Sequence, residues 1–432
     1  MAQKGGFAMS WSFATGSVID CLRERGLIEA TTSDELSKIC EKPIKLYIGF
    51  DPTADSLHLG NLVGIMVLRW FEKFGHKPVV VLGGATGRIG DPSGKSKERV
   101  LLDAETIETN IKGISKHFHK ILKDPEIVNN DSWFAKYSFI DFLRDIGKHF
   151  RVNIMLTKEM VKTRLESDEG ISFTEFSYQL LQSYDFYHLF QQGVILQGGG
   201  SDQWGNITAG VELIRKLIGQ TAYGITYPLL TRSDGKKFGK TEGGAIWLAA
   251  DKTSPYDLYQ YLYRMPDADV IKLMRMLTMM EMEEIRKWEK ALQEPGYVPN
   301  TAQKRLAEEL VTLLHGAEGL ASALRATEAA APGHETELSV EVFRQMMKDL
   351  PYVELTKGDV IDKKYTDIAA QAGLVTSKSE ATRLVTQGGA YLNNKRVDDL
   401  QFRFSDSDLI GGEFLLLGAG KKKKILVHLK FF

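Results

Sequence analysis

The 432-residue sequence predicts an α/β protein: a doubly wound parallel-sheet domain over residues 1–245, an α-helical bundle over 246–332, a linker over 333–358 and a small α+β module over 359–432. Three observations carry that prediction. Between Ile44 and Leu82 a strand, an amphipathic helix and a second, wholly apolar strand follow one another; this is a βαβ unit, and it requires a parallel sheet covered on both faces. From Ser254 to Ala330 helical periodicity runs on, rich in Met, Leu, Glu and Lys, with no strand signal. After Ala329-Ala330-Ala331-Pro332-Gly333, short helices and strands return.

Taken in order, Ser17–Gly26 reads as a short helix and Thr31–Cys40 as a second with polar start signals. Ile44–Phe50 is the first strand and runs into the turn Asp51-Pro52-Thr53. Leu62, Ile65, Met66 and Trp70 recur at helical spacing within Leu59–Phe74, which Gly75 and Pro78 end; Val79–Leu82 is the buried strand. Helices are expected over Ala104–Leu122, Phe139–Phe150, Thr157–Glu166 and Phe173–Leu189. Then come a strand Val194–Gln197 ending at three glycines, a helix Gln203–Ile218 and a strand Tyr223–Leu230. The last module reads as helices Asp367–Gly373 and Lys378–Gln387, then short strands about an Asn393-Asn394 turn.

With 43% hydrophobic and 26% charged residues the chain has a globular makeup, and no run approaches the ~18 consecutive apolar residues of a membrane-spanning helix. The start, MAQKGGFAMSWSFATG, has one cation and no long apolar stretch, so neither a secretory signal nor an Arg-rich transit peptide is expected. Cys21 and Cys40 cannot build a disulfide framework and are expected as reduced thiols in a reducing compartment. The net charge of −1 hides an asymmetry: from Pro351 onward 13 Lys and Arg face 10 Asp and Glu, with much of the excess in Lys421–Lys424.

Ligands of open parallel sheets sit beyond the carboxyl ends of the strands. Phe50–Asn61 occupies that place and leads into a helix whose N-terminus favours phosphate; His58 adds a donor, and Gly60 removes a side chain that would block a flat ligand. The stretch GGATGRIGDPSGKSKER, Gly83–Arg99, fails the Walker spacing because Ile89 stands where the first glycine belongs and Pro92 removes an N–H. It remains a loop able to bring Lys95, Lys97 and Arg99 to a polyphosphate. A third loop, Ser233–Thr241, offers Lys237, Lys240 and Thr241. Each segment alone reads more readily as a structural histidine or a solvated basic loop. His117 and His119 diverge at i, i+2 on a helix and are read as structural.

Together the segments are more specific. HLGN and KFGKT resemble the two signature motifs of class I aminoacyl-tRNA synthetases. YIGFDPTADSLHLGN, GGATGRIGDPSGKSKER, ISFTEFSYQLLQSYDF and GGGSDQWGN are similar to the bacterial-type tyrosyl-tRNA synthetase family, from about Ser17 to the C-terminus. The resemblance implies a Rossmann-like catalytic domain, an anticodon-recognising helical bundle and an RNA-binding module like that of a small-subunit ribosomal protein. It implies that L-tyrosine and ATP form tyrosyl-adenylate and pyrophosphate, and that the tyrosyl group passes to the 3′ end of tRNA(Tyr), with Mg2+ accompanying ATP. The tyrosine carboxylate is already a nucleophile, so positioning and charge stabilisation must carry the rate.

By the same resemblance, the phosphate clamp is Thr53, His58, Lys95, Arg99, Lys237, Lys240 and Thr241. Tyr178, Gln182 and Asp91 would hold the tyrosine ammonium, Asp185 with Tyr47 the phenol, and Gln203 would lie near the carboxylate. Asp51, Gly60, Asn61, Gly200 and Asp202 would place adenosine. Asn130 and Trp133 would support the tyrosine pocket, and Trp204 would pack. Lys378, Arg383, Lys395, Arg396 and Lys421, Lys422, Lys423 and Lys424 would face tRNA phosphates. Asn61 stands where many relatives carry His, and Ile48 where some carry a polar side chain. A homodimer with Phe173 at the subunit contact is implied, one tRNA bridging two subunits, without membrane attachment. The compartment implied is the cytoplasm, or a chloroplast or mitochondrial matrix where a presequence has been removed. Two readings compete: a tryptophanyl enzyme of the same subgroup, opposed by Tyr47 and Asp185 and by the RNA-binding tail, and an RNA-splicing protein on a synthetase scaffold, opposed by the intact clamp.

Overall fold

The computed structural model describes residues 16–93, 101–166, 170–233, 235, 238–241, 244–329, 340, 343–344, 347, 352–420 and 423–430; for 159, 160, 240 and 241 only the backbone is described. The strands are β1 (Ala30–Thr31), β2 (Lys45–Phe50), β3 (Lys77–Leu82), β4 (Glu126–Asn129), β5 (Val194–Gly200), β6 (Tyr223–Tyr227), β7 (Lys240–Thr241), β8 (Gly244–Ala245), β9 (Tyr352–Thr356), β10 (Ala390–Leu392), β11 (Lys395–Arg396), β12 (Phe414–Ala419) and β13 (Lys423–Lys430). The principal helices are α1 (Val18–Glu24), α2 (Leu59–Lys73), α3 (Ala104–Ile121), α4 (Phe173–Phe190), α5 (Trp204–Ile218), α6 (Pro255–Tyr263), α7 (Asp267–Leu277), α8 (Met282–Ala291), α9 (Thr301–Ala329), α10 (Tyr365–Gln371) and α11 (Lys378–Thr386). The chain divides into two compact units, Met1–Ala249 with Pro266–Ala302, and Ala250–Met265 with Gln303–Phe432.

In the first unit six strands run in the order β1-β6-β5-β2-β3-β4. All neighbours are parallel except β1 against β6. The βαβ unit read from the sequence is β2-α2-β3, with Tyr47 paired to Val79 and Phe50 to Leu82. Strand β3 starts earlier than its apolar run, because the Lys77 N–H donates to the Ile44 carbonyl at 2.8 Å and Pro78 is tolerated near a strand's start. Helix α2 is buried from Leu62 through Phe71, so it is a core helix rather than a half-exposed one. Tyr47, Val79, Val81, Phe186, Leu189, Leu213 and Ile214 form one core cluster.

Four local expectations change, and one strand, β4, was not expected. Segment 31–40 is not one helix: Thr31 pairs with Ile225, the Thr32 hydroxyl accepts from the Gly224 N–H at 2.8 Å, and only Leu36–Ile39 is helical. Strand β4 has just two apolar residues, too few for a periodic signal, and pairs at the sheet edge. Strand β5 runs on through its glycines, pairing Gly200 with Tyr227, and β6 stops there because Pro228 has no N–H for the ladder. Phe139–Phe150 splits at Gly147 into a helix Phe139–Asp145 and a tight turn Gly147–His149.

Helices α7 and α8 belong to this unit. The Arg25 guanidinium lies 3.8 Å over the Trp70 ring and donates to the Arg275 carbonyl at 3.2 Å, and Lys73 pairs with Glu281 at 3.1 Å. The helical stretch 246–332 is thus shared between the two units, α6 and nearly all of α9 lying in the second.

In the second unit the strand order is β11-β10-β12-β13-β9, with β9 parallel to β13. Tyr352–Thr356, expected within the linker, is strand β9. Strands β12 and β13 alternate apolar side chains on both faces. Leu415, Leu417, Val427 and Leu429 enter the core with Ile368, Ala381 and Val385, while Phe414, Leu416 and Leu426 pack on Tyr256, Ala326 and Phe343. The β10–β11 turn is Asn393-Asn394, with φ of 49° and 64°, the left-handed pair that a two-residue hairpin demands.

Candidate active site

A cavity of about 320 Å³ opens beyond the carboxyl ends of β2, β3, β5 and β6, where an open parallel sheet binds its ligand. Its walls hold Tyr47, Asp51, Thr53, His58, Gly60, Asn61, Asp91, Tyr178, Gln182, Asp185, Gly200, Asp202 and Gln203. Thirteen positions named from the sequence, spread over more than 150 residues of chain, therefore converge on one space.

Its inner wall is set by α4. Ser172 caps that helix, accepting from the Glu175 N–H at 3.3 Å, and the 3.6-residue repeat then turns Tyr178, Gln182 and Asp185 to one side. Asp185 is buried; one carboxylate oxygen accepts from the Trp133 indole N–H at 2.8 Å and the other from the Asn130 amide at 3.1 Å. Burial pushes its carboxyl up to about 8 against the pull of those two donors. Tyr47, on the middle of β2, is buried beside Phe186, and its hydroxyl has no hydrogen-bond partner among the described residues. Burial, then the Asp185 charge, raises the Tyr47 phenol well above its ordinary range.

From Asp185 a continuous polar chain crosses the pocket. The Asn130 amide also donates to the Thr86 hydroxyl at 3.0 Å, and Thr86 donates to Asp51 at 2.8 Å. Tyr178 donates to the other Asp51 oxygen at 2.7 Å. Gly83 makes this possible: a Cβ there would stand 2.0 Å from the Asp51 carboxylate. On the opposite side the Gln203 amide donates to Asp91 at 2.7 Å, and Asn206 donates to Gln182 at 2.9 Å. Gln182 thus reaches the pocket with its oxygen already engaged.

At the mouth, His58 is the N-cap of α2. Its Nδ1 accepts from the Gly60 N–H at 3.1 Å, which leaves the ring proton on Nε2, and Asn61 Oδ1 accepts from the His58 N–H at 3.1 Å. A Cβ at Gly60 would lie 2.9 Å from the His58 ring, so a glycine is needed for this cap. Gly239 of the KFGKT segment abuts the same helix end, a Cβ there standing 3.2 Å from Leu59. The Leu59 N–H donates to the Ile246 carbonyl at 2.9 Å, Leu248 N–H to Leu57 at 2.8 Å, and His58 pairs with Trp247. Lys240 and Thr241 lie on β7, whose hairpin with β8 springs from this ladder. Lys95, Arg99 and Lys237 lie outside the described residues.

The sequence reading passed over Thr86, the joint between the Asp51 and Asn130 ends of the polar chain, and two further wall residues, Gln197 and Tyr227. The Gln197 side-chain oxygen is buried and has no partner among the described residues. Its signal was available, since a polar residue closes the apolar run Val194-Ile195-Leu196 at the strand's carboxyl end. Asn130 and Trp133 bond the Asp185 carboxylate directly. His117, read as structural, is buried with Nε2 3.0 Å from the Ser56 hydroxyl.

In the second unit Lys378, Arg383, Lys395, Arg396 and Lys423 are exposed, Lys378 bonded to Asp367 at 2.7 Å. Lys421 and Lys422 are outside the described residues. Lys424 corrects the expectation of a uniformly exposed run. Strand alternation turns it inward, where its ammonium sits 5.3 Å from the Tyr391 ring and 3.4 Å from Asn394, and burial lowers it to about 8.

A parallel sheet whose carboxyl edge carries these signature segments on one helix N-terminus defines the class I tRNA synthetases, and the family model described as tRNA synthetases class I (W and Y) matches residues 39–331. A second model, the tyrosine–tRNA ligase SYY-like C-terminal domain, matches residues 342–427. A tyrosine–tRNA ligase of Protochlamydia amoebophila is 56% identical over 96% of this chain and 99% of its own. A chloroplastic/mitochondrial tyrosine–tRNA ligase of Arabidopsis thaliana is 50% identical over 96% of this chain and 84% of its own. Among solved structures, a C-terminally truncated mitochondrial tyrosyl-tRNA synthetase of Aspergillus nidulans superposes with a TM-score of 0.64 at 34% identity, over 72% of this chain and 92% of that one. The chain belongs to the tyrosine–tRNA ligase family. Its reaction is the family's: tyrosine is activated with ATP to tyrosyl-adenylate and then transferred to tRNA.

Proposed function

We propose that the cavity at the sheet's carboxyl edge is where both substrates of the first step meet, tyrosine inside and ATP at the mouth. The observation that carries this is the pairing of a buried, doubly hydrogen-bonded carboxyl, Asp185, with a buried, unpartnered hydroxyl, Tyr47, on the walls of one cavity. A phenol entering there donates to Asp185 and accepts from Tyr47, satisfying both. Phenylalanine would leave both unpaired in a dry site, which costs roughly 1–3 kcal/mol per group. The ammonium end then meets Tyr178, Gln182 and Asp91, and the carboxylate faces Gln203.

The tyrosine carboxylate attacks the α-phosphorus of ATP, a P–O bond forms, and the bond to pyrophosphate breaks. No proton has to be removed from the nucleophile. The rate rests on holding the two reactants in line and on donors for the charge that builds on the leaving group. Thr53, the His58 Nε2–H and the N-terminus of α2 supply part of that from fixed backbone. Lys95, Arg99, Lys237, Lys240 and Thr241 supply the rest as cationic and hydroxyl donors that favour the transition state over bound ATP. Asp51, Gly60, Asn61, Gly200 and Asp202 place adenosine, and Mg2+ enters bound to the ATP oxygens.

Transfer RNA is read by the exposed cations Lys378, Arg383, Lys395, Arg396 and Lys423 of the C-terminal module, together with Lys421 and Lys422. The working enzyme is a homodimer in the cytoplasm or in an organellar matrix, and no helix among the described residues is long and apolar enough to cross a membrane. Phe139, Ile140, Val152, Ile154, Leu165 and Phe173 expose large apolar side chains within one stretch of the first unit, which supports a subunit contact there. Tyrosine-dependent ATP–pyrophosphate exchange by an Asp185→Ala protein tests the pocket. Activation should fall by orders of magnitude while ATP binding holds; unchanged exchange kinetics would remove the assignment.

A further inference from the structure

Asp185 is aimed by Trp133, and Trp133 is itself aimed. The His188 ring stacks on the Trp133 indole with centroids 4.6 Å apart and planes 24° from parallel. His188 lies three residues beyond Asp185 on α4, so one helical turn presents the carboxylate to the pocket and the imidazole to the back of the indole. Gln192, a further turn along, has its amide nitrogen 2.9 Å from His188 Nε2. An amide nitrogen only donates, so that ring nitrogen is the acceptor and the imidazole is neutral. Burial and the nearby Lys136 charge also lower its protonation. The result is a flat, uncharged plate, pinned at one edge and stacked on the indole.

The indole has one N–H, and it goes to Asp185 at 2.8 Å. A tilt of the ring would swing that hydrogen off the carboxylate and leave a buried oxygen short of a donor. Tyr184 lies on the other flank of His188, centroids 6.2 Å apart, and Tyr137 and Phe142 close around Tyr184, so the plate is backed by an aromatic cluster. We propose that His188 is a positioning residue for tyrosine selection: by stacking on Trp133 it holds the indole N–H on Asp185 and so sets how tightly the enzyme takes a hydroxylated ring. This rests on the reading of Asp185 as the phenol's acceptor.

The experiment is tyrosine-dependent ATP–pyrophosphate exchange on the full chain carrying His188→Ala, His188→Gln or His188→Phe, each also combined with Trp133→Phe. Offset aromatic stacking of this kind corresponds to about a 3- to 10-fold effect. His188→Ala and His188→Gln should raise the KM for tyrosine by that factor, with kcat and the KM for ATP unchanged within about two-fold. His188→Phe keeps a flat face and should stay near the parent protein, although it loses the bond to Gln192. In the Trp133→Phe background, which has no indole N–H to aim, the His188 changes should have no further effect. A parent-like His188→Ala, a His188→Gln better than His188→Phe, an equal rise in the KM for ATP, or effects that simply add to Trp133→Phe would each overturn the proposal. Asp185→Asn with an unchanged KM for tyrosine would instead bring down the pocket reading beneath it, a result the His188 series alone cannot give.

Discussion

Asp185 joins the recognition role proposed for it to a pH signature. Its carboxyl is held near 8 in the folded chain against 3.8 as its ordinary value, chiefly by burial. Between those two values the folded state binds the extra proton, so the slope of stability with pH is negative. Asp185 contributes its stabilisation in full below pH 3.8, and that contribution is gone once pH has risen through about 8. Asp185→Asn abolishes this titration. In urea unfolding from pH 5 to 9, the difference between the two proteins should move in favour of the asparagine variant as pH rises to about 8 and level off beyond it; a constant difference throughout would show that the carboxyl is not held protonated. Of the residues in this pocket, Tyr47, Tyr178, Gln182 and Asp185 were legible because their segments carry a recognisable pattern. Thr86 was not, since nothing in GGATG marks one hydroxyl as the joint between Asp51 and Asn130. Lys424 was misread for a related reason: four consecutive lysines look alike in sequence, and only strand alternation turns one of them inward.

Among the elements, α2 combines two tasks that mutation can separate. His58 caps the helix through Nδ1 and lines the mouth of the cavity. His58→Ala should lose roughly 1 kcal/mol of stability through the cap, together with most adenylate formation. His58→Asn restores a capping oxygen and should recover most of that stability without recovering the rate. Chemical denaturation and pyrophosphate exchange on the same two proteins separate these effects; equal recovery of both would mean that the histidine serves the helix alone. Helices and fully buried strands were the most legible elements, because their apolar periods are long. The edge strand β4 and the short β1 were not, since they are defined by partners far away in the chain and their own sequence holds two or fewer strongly apolar positions. The glycines of β5 looked like a strand's end and are its continuation, pairing with β6 because backbone hydrogen bonding needs no side chain.

For the whole molecule, the described cavity wall lies entirely in the first unit, while the exposed basic residues of the C-terminal module lie in the second. Removing residues 351–432 should therefore spare tyrosine-dependent pyrophosphate exchange and abolish tRNA charging. The shortened chain should also be less soluble, because Tyr256, Ala326 and Phe343 lose their cover from Phe414, Leu416 and Leu426. Charging that survived the truncation would contradict the role proposed for the tail. In the full chain, Lys395→Ala with Arg396→Ala should weaken tRNA binding and lower its salt slope by about 2, measured by filter binding across ionic strength. The boundary of the helical region was the least legible large-scale feature: α7 and α8 look like the rest of the helical run, and it is the Arg25 and Lys73 contacts that assign them to the sheet unit.

The decisive measurement offers the unaltered protein tyrosine, phenylalanine and tryptophan in turn and follows ATP–pyrophosphate exchange. With Asp185 and Tyr47 waiting for a hydroxylated ring, tyrosine alone should sustain rapid exchange and phenylalanine should be slower by orders of magnitude. Comparable exchange with phenylalanine, or a preference for tryptophan, would contradict the account.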